Sequence, residues 1–199
     1  MRENEPTQPK DGEKLHSDLE WAGDAGKETY TVEEAVKQTR KGLRQFAMLF
    51  FHICKTLVER FGEDEAFPIA QQVVFSMSCD RAGQIRKRAE SEGLPLTLDS
   101  FWQANDLPAT GWDKWRPCMG GLKCHYAEVW LTYFPDNPWF KRFASMFCDV
   151  IDTTNIEVFS GTISHRITSN LLWGDEVCGH DYFVSENVQN GKLTYGTRA

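Results

Sequence analysis

Two hydrophobic periods follow one another along this chain, a helical one first and a strand-like alternation last, and that order restricts the folds open to it. Thr31-Val32-Glu33-Glu34 has the form of a capping box, with Thr31 as N-cap and Glu34 three residues on. Behind it Val36, Leu43, Phe46, Phe50, Ile53 and Leu57 recur at spacings of three, four and seven, one face of a helix that stops near Gly62. A second helix is expected from Phe67-Pro68 to Gly93, with Ile69, Val73, Met77 and Ile85 turned inward. Gly83 inside it costs about 1 kcal/mol relative to Ala, which suggests that another backbone comes close. Residues 98–105 read as a short helix and residues 107–121 as turn-rich. Residues 124–130 are too few for periodicity to choose between strand and helix. Residues 139–151 are helical, with Phe140, Phe143, Phe147 and Val150 on one stripe. Residues 165–173 and 177–185 form the arms of a hairpin about Gly174-Asp175, and Asn190-Gly191 signals a further turn. The expected fold is therefore α+β: N-terminal helices packed on a C-terminal antiparallel β-sheet in a single domain.

Charge marks the edge of that domain. Residues 1–30 hold eight acidic and four basic side chains, more than half of the net charge of −7. This composition cannot offset the entropy of ordering, so residues 1–30 are expected to be a flexible acidic tail and residues 31–199 the domain. Thirteen Phe, seven Trp and five Tyr supply bulk for a core. The longest apolar run, residues 46–54, contains His52 and is nine residues long, against about 20 for a spanning helix. No membrane partner is expected. The densest basic cluster is Arg86-Lys87-Arg88, too little to offset nucleic-acid phosphates. The opening residues, Met1 to Pro6, lead into no apolar stretch. The expectation is a cytoplasmic protein with six reduced cysteines and a small-molecule partner. A homo-oligomer is left open.

Familiar chemical signatures are missing. There is no glycine-rich phosphate loop, dinucleotide fingerprint, nucleophile elbow or His-Glu-x-x-His helix, so no cofactor is expected. Cys118, Cys124, Cys148 and Cys178, taken with His125 or His165, match no standard zinc spacing, so no metal is expected. What remains is a concentration of Cys, His and Asp in the second half. Cys148 and Asp152 stand four apart, on one side of a helix. The carboxylate can orient a histidine or a substrate amine beside the thiol; equally, the thiol can be an inert core residue. On the returning arm of the hairpin Cys178, His180 and Tyr182 share a face. On the outgoing arm His165, Ile167 and Ser169 share one face, and Arg166, Thr168 and Asn170 the other. That second face either meets solvent or lines a polar pocket. Trp112, Trp115, Trp130 and Trp173 either pack or wall a pocket between the middle of the chain and the hairpin.

Several segments in order resemble the L-2-amino-thiazoline-4-carboxylic acid hydrolase family. Residues 61–93, through Arg81-Ala82-Gly83, resemble its helical half. Cys124-His125-Tyr126-Ala127-Glu128 is similar to its Cys-Pro-x-Ala-Glu segment, with His125 where Pro is common. Phe147-Cys148 with Asp152 is similar to its Phe-Cys-x-x-Asp segment, lengthened by one residue, which makes Asp149 a rival to Asp152. Leu172 to Cys178 resembles its Leu-x-x-Gly-Asp-x-x-Cys turn, followed here by Gly179-His180. The resemblance covers residues 32–185. It implies a hydrolase acting on C–N bonds other than peptide bonds, which opens a 2-aminothiazoline carboxylate or a related cyclic amidine or amide. The amidine carbon of such a ring is electrophilic. A thiolate can attack it, a carboxylate can stabilise the amidinium and a histidine can move the proton. Cys148, Asp152 and His165 are the expected catalytic group, with Cys124 and Cys178 as rival nucleophiles. Arg166 is expected to receive a substrate carboxylate, with Trp130, Trp173 and Asn170 as further substrate contacts. The family is also similar to small ligand-binding domains of the vinyl-reductase and Golgi-transport types. That leaves a non-catalytic small-molecule-binding domain as the alternative.

Overall fold

Helix α1 (Val32–Phe61) begins directly after Thr31, and its buried side is set by Leu43, Ala47, Phe50, Phe51 and Cys54. The structure is a computed structural model describing residues 31–106 and 124–188. The chain divides at Thr31, and every element described here belongs to the second unit, Val32–Ala199. The inward stripe of α1 is rotated slightly from the one the large residues suggest. Small Ala47 and Cys54 face the core, and Ile53 is exposed. Gly62 links α1 to α2 (Glu63–Ser91) with φ 79° and ψ 165°, a conformation essentially restricted to glycine. Glu63, Asp64 and Glu65 fill the first turn of α2, where the helix dipole favours negative charge. Pro68 therefore lies inside the helix, several residues past its start.

The inward face of α2 is built from Ala66, Ala70, Val74, Ser78, Ala82 and Ala89 together with Ile85. Small side chains let α5 (Phe140–Ser160) lie close along it. This corrects the expected stripe: Ile69 and Val73 are exposed, and only Ile85 of the four expected residues is fully buried. Nor does a backbone press on Gly83, where a Cβ would meet nothing within 4 Å. Helix α3 (Leu98–Ala104) starts at an N-cap, Thr97, whose side chain accepts from the Ser100 amide at 3.3 Å.

Residues 125–131, for which periodicity leaves strand and helix open, form a helix, α4 (His125–Leu131), capped by Cys124. It delivers Trp130 into the core, where the indole N–H donates to the Ala47 carbonyl at 2.9 Å. Around it Phe50, Phe140 and Phe147 pack with ring centroids 4.8 to 6.1 Å apart. Each such ring removed from water contributes about 1.5–3 kcal/mol. A second cluster joins Ile85 and Phe101 to Ile156 and Phe159 at the far end of α5.

Helix α5 runs nine residues beyond the expected end at Ile151. The run Asp152-Thr153-Thr154-Asn155 lacks both good helix formers and an apolar stripe. It stays helical because it is held on α2, and Thr153, Thr154 and Asn155 are buried. Gly161, in the left-handed conformation at φ 73°, stops the helix. Strands β1 (Ile163–Ser169) and β2 (Gly179–Val184) then pair antiparallel, with His165 opposite Tyr182, Arg166 opposite Asp181 and Ile167 opposite His180. The outgoing strand is shorter than expected. A register shift interrupts the ladder between Ile167 and Ser169, and residues 171–173 form a 3₁₀ turn. Helices followed by an antiparallel sheet make this the expected α+β fold. Among the described residues no helix is long and apolar enough to cross a membrane. The tail expected at residues 1–30, the turn-rich segment with Trp112, Trp115 and Cys118, and the Asn190-Gly191 turn lie outside the described residues.

Candidate active site

The polar middle of α5 faces the hairpin, and Cys124, Cys148 and Cys178 belong to one packed cluster beside it. Cys148 and Asp152 come from α5, Cys124 from the N-cap of α4, and Cys178 from the residue before β2. Asp152 acts on all three thiols, and the charges of Cys124 and Cys178 act on Cys148. The three sulfurs and the carboxylate therefore form one electrostatic unit. Burial pushes the Cys124 thiol up to about 12, although the amides of Ala127 and Tyr126 face its sulfur and favour the thiolate. Cys148 is held well above the usual thiol range, first by burial and then by the negative charges beside it. Cys178 is raised for the same reason, opposed by the Leu171 amide. All three are protonated at neutral pH.

Asn170 joins the thiols to the hairpin. It is 1% exposed. Its Oδ1 accepts from the Leu172 amide at 2.9 Å and lies 3.8 Å from Cys178 Sγ. Its side-chain amide favours the Cys148 thiolate, and Nδ2 has no nitrogen or oxygen partner. The register shift turns Asn170 inward, away from the face of Arg166 on which strict alternation puts it.

Desolvation raises the Asp152 carboxyl above its ordinary range, opposed by the charges of His180 and Arg81. Its side chain nevertheless keeps 36% of its surface open. The Asp152 carboxylate is thus both crowded by protein and reached by solvent. Arg81, reaching from α2, is held by Asp106 at 2.6 Å and Asn105 at 3.0 Å. Burial also raises the phenols of Tyr126 and Tyr182, both of which feel Asp152.

Beside Asp152 runs a chain of polar contacts. Thr153 Oγ1 lies 3.2 Å from His165 Nδ1, and His165 Nε2 lies 2.9 Å from His180 Nδ1. His180 Nδ1 is in turn 3.9 Å from Asp152 Oδ2. His165 is pushed down to about 3, mostly by burial and secondly by His180, so it is neutral at pH 7. One ring nitrogen of a neutral histidine donates and the other accepts, so the pair can pass a proton along the chain. His180 Nε2 has no partner.

Of the residues expected from sequence, Cys124, Cys148, Cys178, Asp152, His165 and Asn170 come together. Three do not. Arg166 lies on the opposite face of the hairpin, 61% exposed and paired with Asp181 at 2.8 Å. Trp173 is 49% exposed, and its indole donates to Ser145 at 3.3 Å. Trp130 is sealed in the core with its N–H engaged. Sequence reasoning set His180 and Tyr182 on the strand face of Cys178 without giving them a role, and it missed Thr153, Tyr126 and Arg81. Cross-strand pairing was the available signal for His180 and Tyr182, since β2 carries both on the face of its partner residue His165. Comparison with protein-family models, curated proteins and solved structures finds no match to this chain.

Proposed function

We propose that the protein is a hydrolase that opens a small C–N heterocycle, a 2-aminothiazoline carboxylate or a related cyclic amidine or amide. One observation carries this: Asp152, with 36% of its side chain open, lies in the field of three thiols brought from separate segments into one cluster. An amidinium ring complements the site. Its positive charge pairs with Asp152 and lowers the pKa of thiols that burial otherwise keeps protonated. The thiolate then forms as substrate binds, when it is needed.

Cys148, one helical turn before Asp152, is the nucleophile of this reading, and Cys124 its rival. The thiol sulfur adds to the amidine carbon, and its proton passes by Asp152 or His180 to the ring heteroatom as the ring bond breaks. Water adds to the same carbon, the thiol departs with a proton, and an open-chain carbamoyl product is released. The ordered resemblance to L-2-amino-thiazoline-4-carboxylic acid hydrolases supports the same reaction. The five described cysteines are free, which fits a reducing compartment such as the cytoplasm. A second reading, a small-molecule-binding domain without chemistry, rests on the raised thiols: none is a preformed thiolate.

Replacing Cys124, Cys148 and Cys178 singly with Ala tests the proposal. Loss of a buried thiol costs about 1 kcal/mol of stability, whereas loss of the nucleophile abolishes turnover of 2-aminothiazoline-4-carboxylate in a folded protein. Full activity in all three variants overturns thiol catalysis. A wild type that binds the ring tightly and leaves it closed favours the second reading.

A further inference from the structure

We infer that Asp152, His165 and His180 form a binding site for a divalent first-row transition-metal ion. The inference goes beyond the hydrolase reading and holds whether or not the chain opens a heterocycle. Each residue offers one ligand atom, and the three atoms lie within 4.8 Å of one another. The two histidine nitrogens, His165 Nε2 and His180 Nδ1, are 2.9 Å apart. Two nitrogens bound at about 2.05 Å to one ion, at right angles, are separated by about 2.9 Å. The ion thus takes the place of the proton the two rings otherwise share. The carboxylate oxygen is 3.9 Å from His180 Nδ1. A side-chain movement of about 1 Å brings it to the same right-angled separation.

The surroundings have the form of a ligand shell. His165 Nδ1 lies 3.2 Å from Thr153 Oγ1; in the tautomer that donates its Nδ1 proton to that oxygen, Nε2 has the lone pair a metal needs. All three ligands stand on regular elements, one on α5 and one on each strand. His165 is buried, while His180 and Asp152 are 19% and 36% exposed, so an ion can enter from their side and keep open positions there. Two histidines and one carboxylate suit Zn²⁺, Fe²⁺ or Co²⁺. The ion would act as a Lewis acid and lower the pKa of a bound water. No short motif announces such a site, because the ligands come from three separate elements. It stands against the sequence expectation of a metal-free protein.

The test uses the full chain stripped with a chelator and titrated with Zn²⁺ against a competing chromophoric chelator. In parallel, Co²⁺ is added and the electronic spectrum recorded. The result expected is one equivalent bound, with Co²⁺ bands of nitrogen and oxygen ligation and no sulfur-to-metal charge-transfer band. His180→Ala and Asp152→Asn should each weaken binding tenfold or more. Absence of stoichiometric binding overturns the inference. A strong charge-transfer band also overturns it, because the ion is then held by the thiols. The wild-type cobalt spectrum decides the matter even if a variant fails to fold.

Discussion

Asn170→Ala and Asn170→Asp together test whether the thiol cluster is built around a desolvated amide. The Ala variant removes Oδ1 and strands the Leu172 amide, which now donates to it at 2.9 Å beneath a side chain 2% exposed. An unpaired buried donor costs about 1–3 kcal/mol. Part of that is returned, because Nδ2, which has no nitrogen or oxygen partner, leaves as well. The net expectation is a loss of about 1–2 kcal/mol, the same at pH 5 and pH 8. The Asp variant keeps the acceptor and so keeps the turn, but places a carboxyl at a 1% exposed position beside Cys148 and Cys178. Burial raises the folded pKa of that carboxyl above its unfolded value of about 3.9. A raised acid leaves stability intact below the unfolded pKa and loses it as pH climbs through the folded one. A tenfold difference in acid strength between the folded and unfolded states is worth about 1.4 kcal/mol. Full burial weakens a carboxylic acid by roughly a thousandfold. The Asp variant should therefore be about 4 kcal/mol less stable than wild type at pH 8. At pH 5 the loss is about 1.5 kcal/mol. Urea unfolding at the two pH values reads both numbers. An Asp variant whose deficit does not change with pH refutes the buried placement of Asn170.

Other consequences are simpler. Arg166→Ala should change stability by less than about 0.5 kcal/mol, as for other exposed ion pairs, and leave KM for a carboxylated ring unchanged; a raised KM contradicts its outward placement. Trp130→Ala should cost about 3–5 kcal/mol in thermal or urea unfolding, since it empties the centre of the aromatic core, and a loss below about 1 kcal/mol contradicts that position. In the unliganded protein the alkylation rate of Cys124 should rise about tenfold per pH unit through pH 10 without levelling, because its thiol titrates near 12. A plateau near pH 8.5, read by mass spectrometry, means an unperturbed thiol.

The helices and their order are legible in the sequence because large apolar residues recur at helical spacing over long stretches, as in Phe140, Phe143 and Phe147. Where small residues make the interface the signal fades. The inward face of α2 is mostly Ala and Ser, so periodicity points instead to Ile69 and Val73, which face outward. The far half of α5 escapes periodicity because polar Thr153, Thr154, Asn155 and Ser160 are buried there beside Ile156 and Phe159. Cys148 and Asp152 are readable as neighbours because one helix carries both. The approach of Cys124 and Cys178 to them depends on tertiary packing, which periodicity does not report. The inward turn of Asn170 depends on a register shift that no spacing reports, and the same alternation rule that misses it correctly sets His165 and Arg166 on opposite faces.

The central claim is that this site opens a cationic ring by charge pairing at Asp152. The direct measurement follows ring opening of 2-aminothiazoline-4-carboxylate labelled with ¹³C at the amidine carbon, in wild type and in Asp152→Asn. The account predicts conversion of the amidine signal to a carbamoyl signal by wild type. It predicts a kcat lower by about a hundredfold or more in the folded variant, the scale of a lost acid–base group. Equal turnover by the two proteins, or an unchanged amidine signal with wild type, contradicts it.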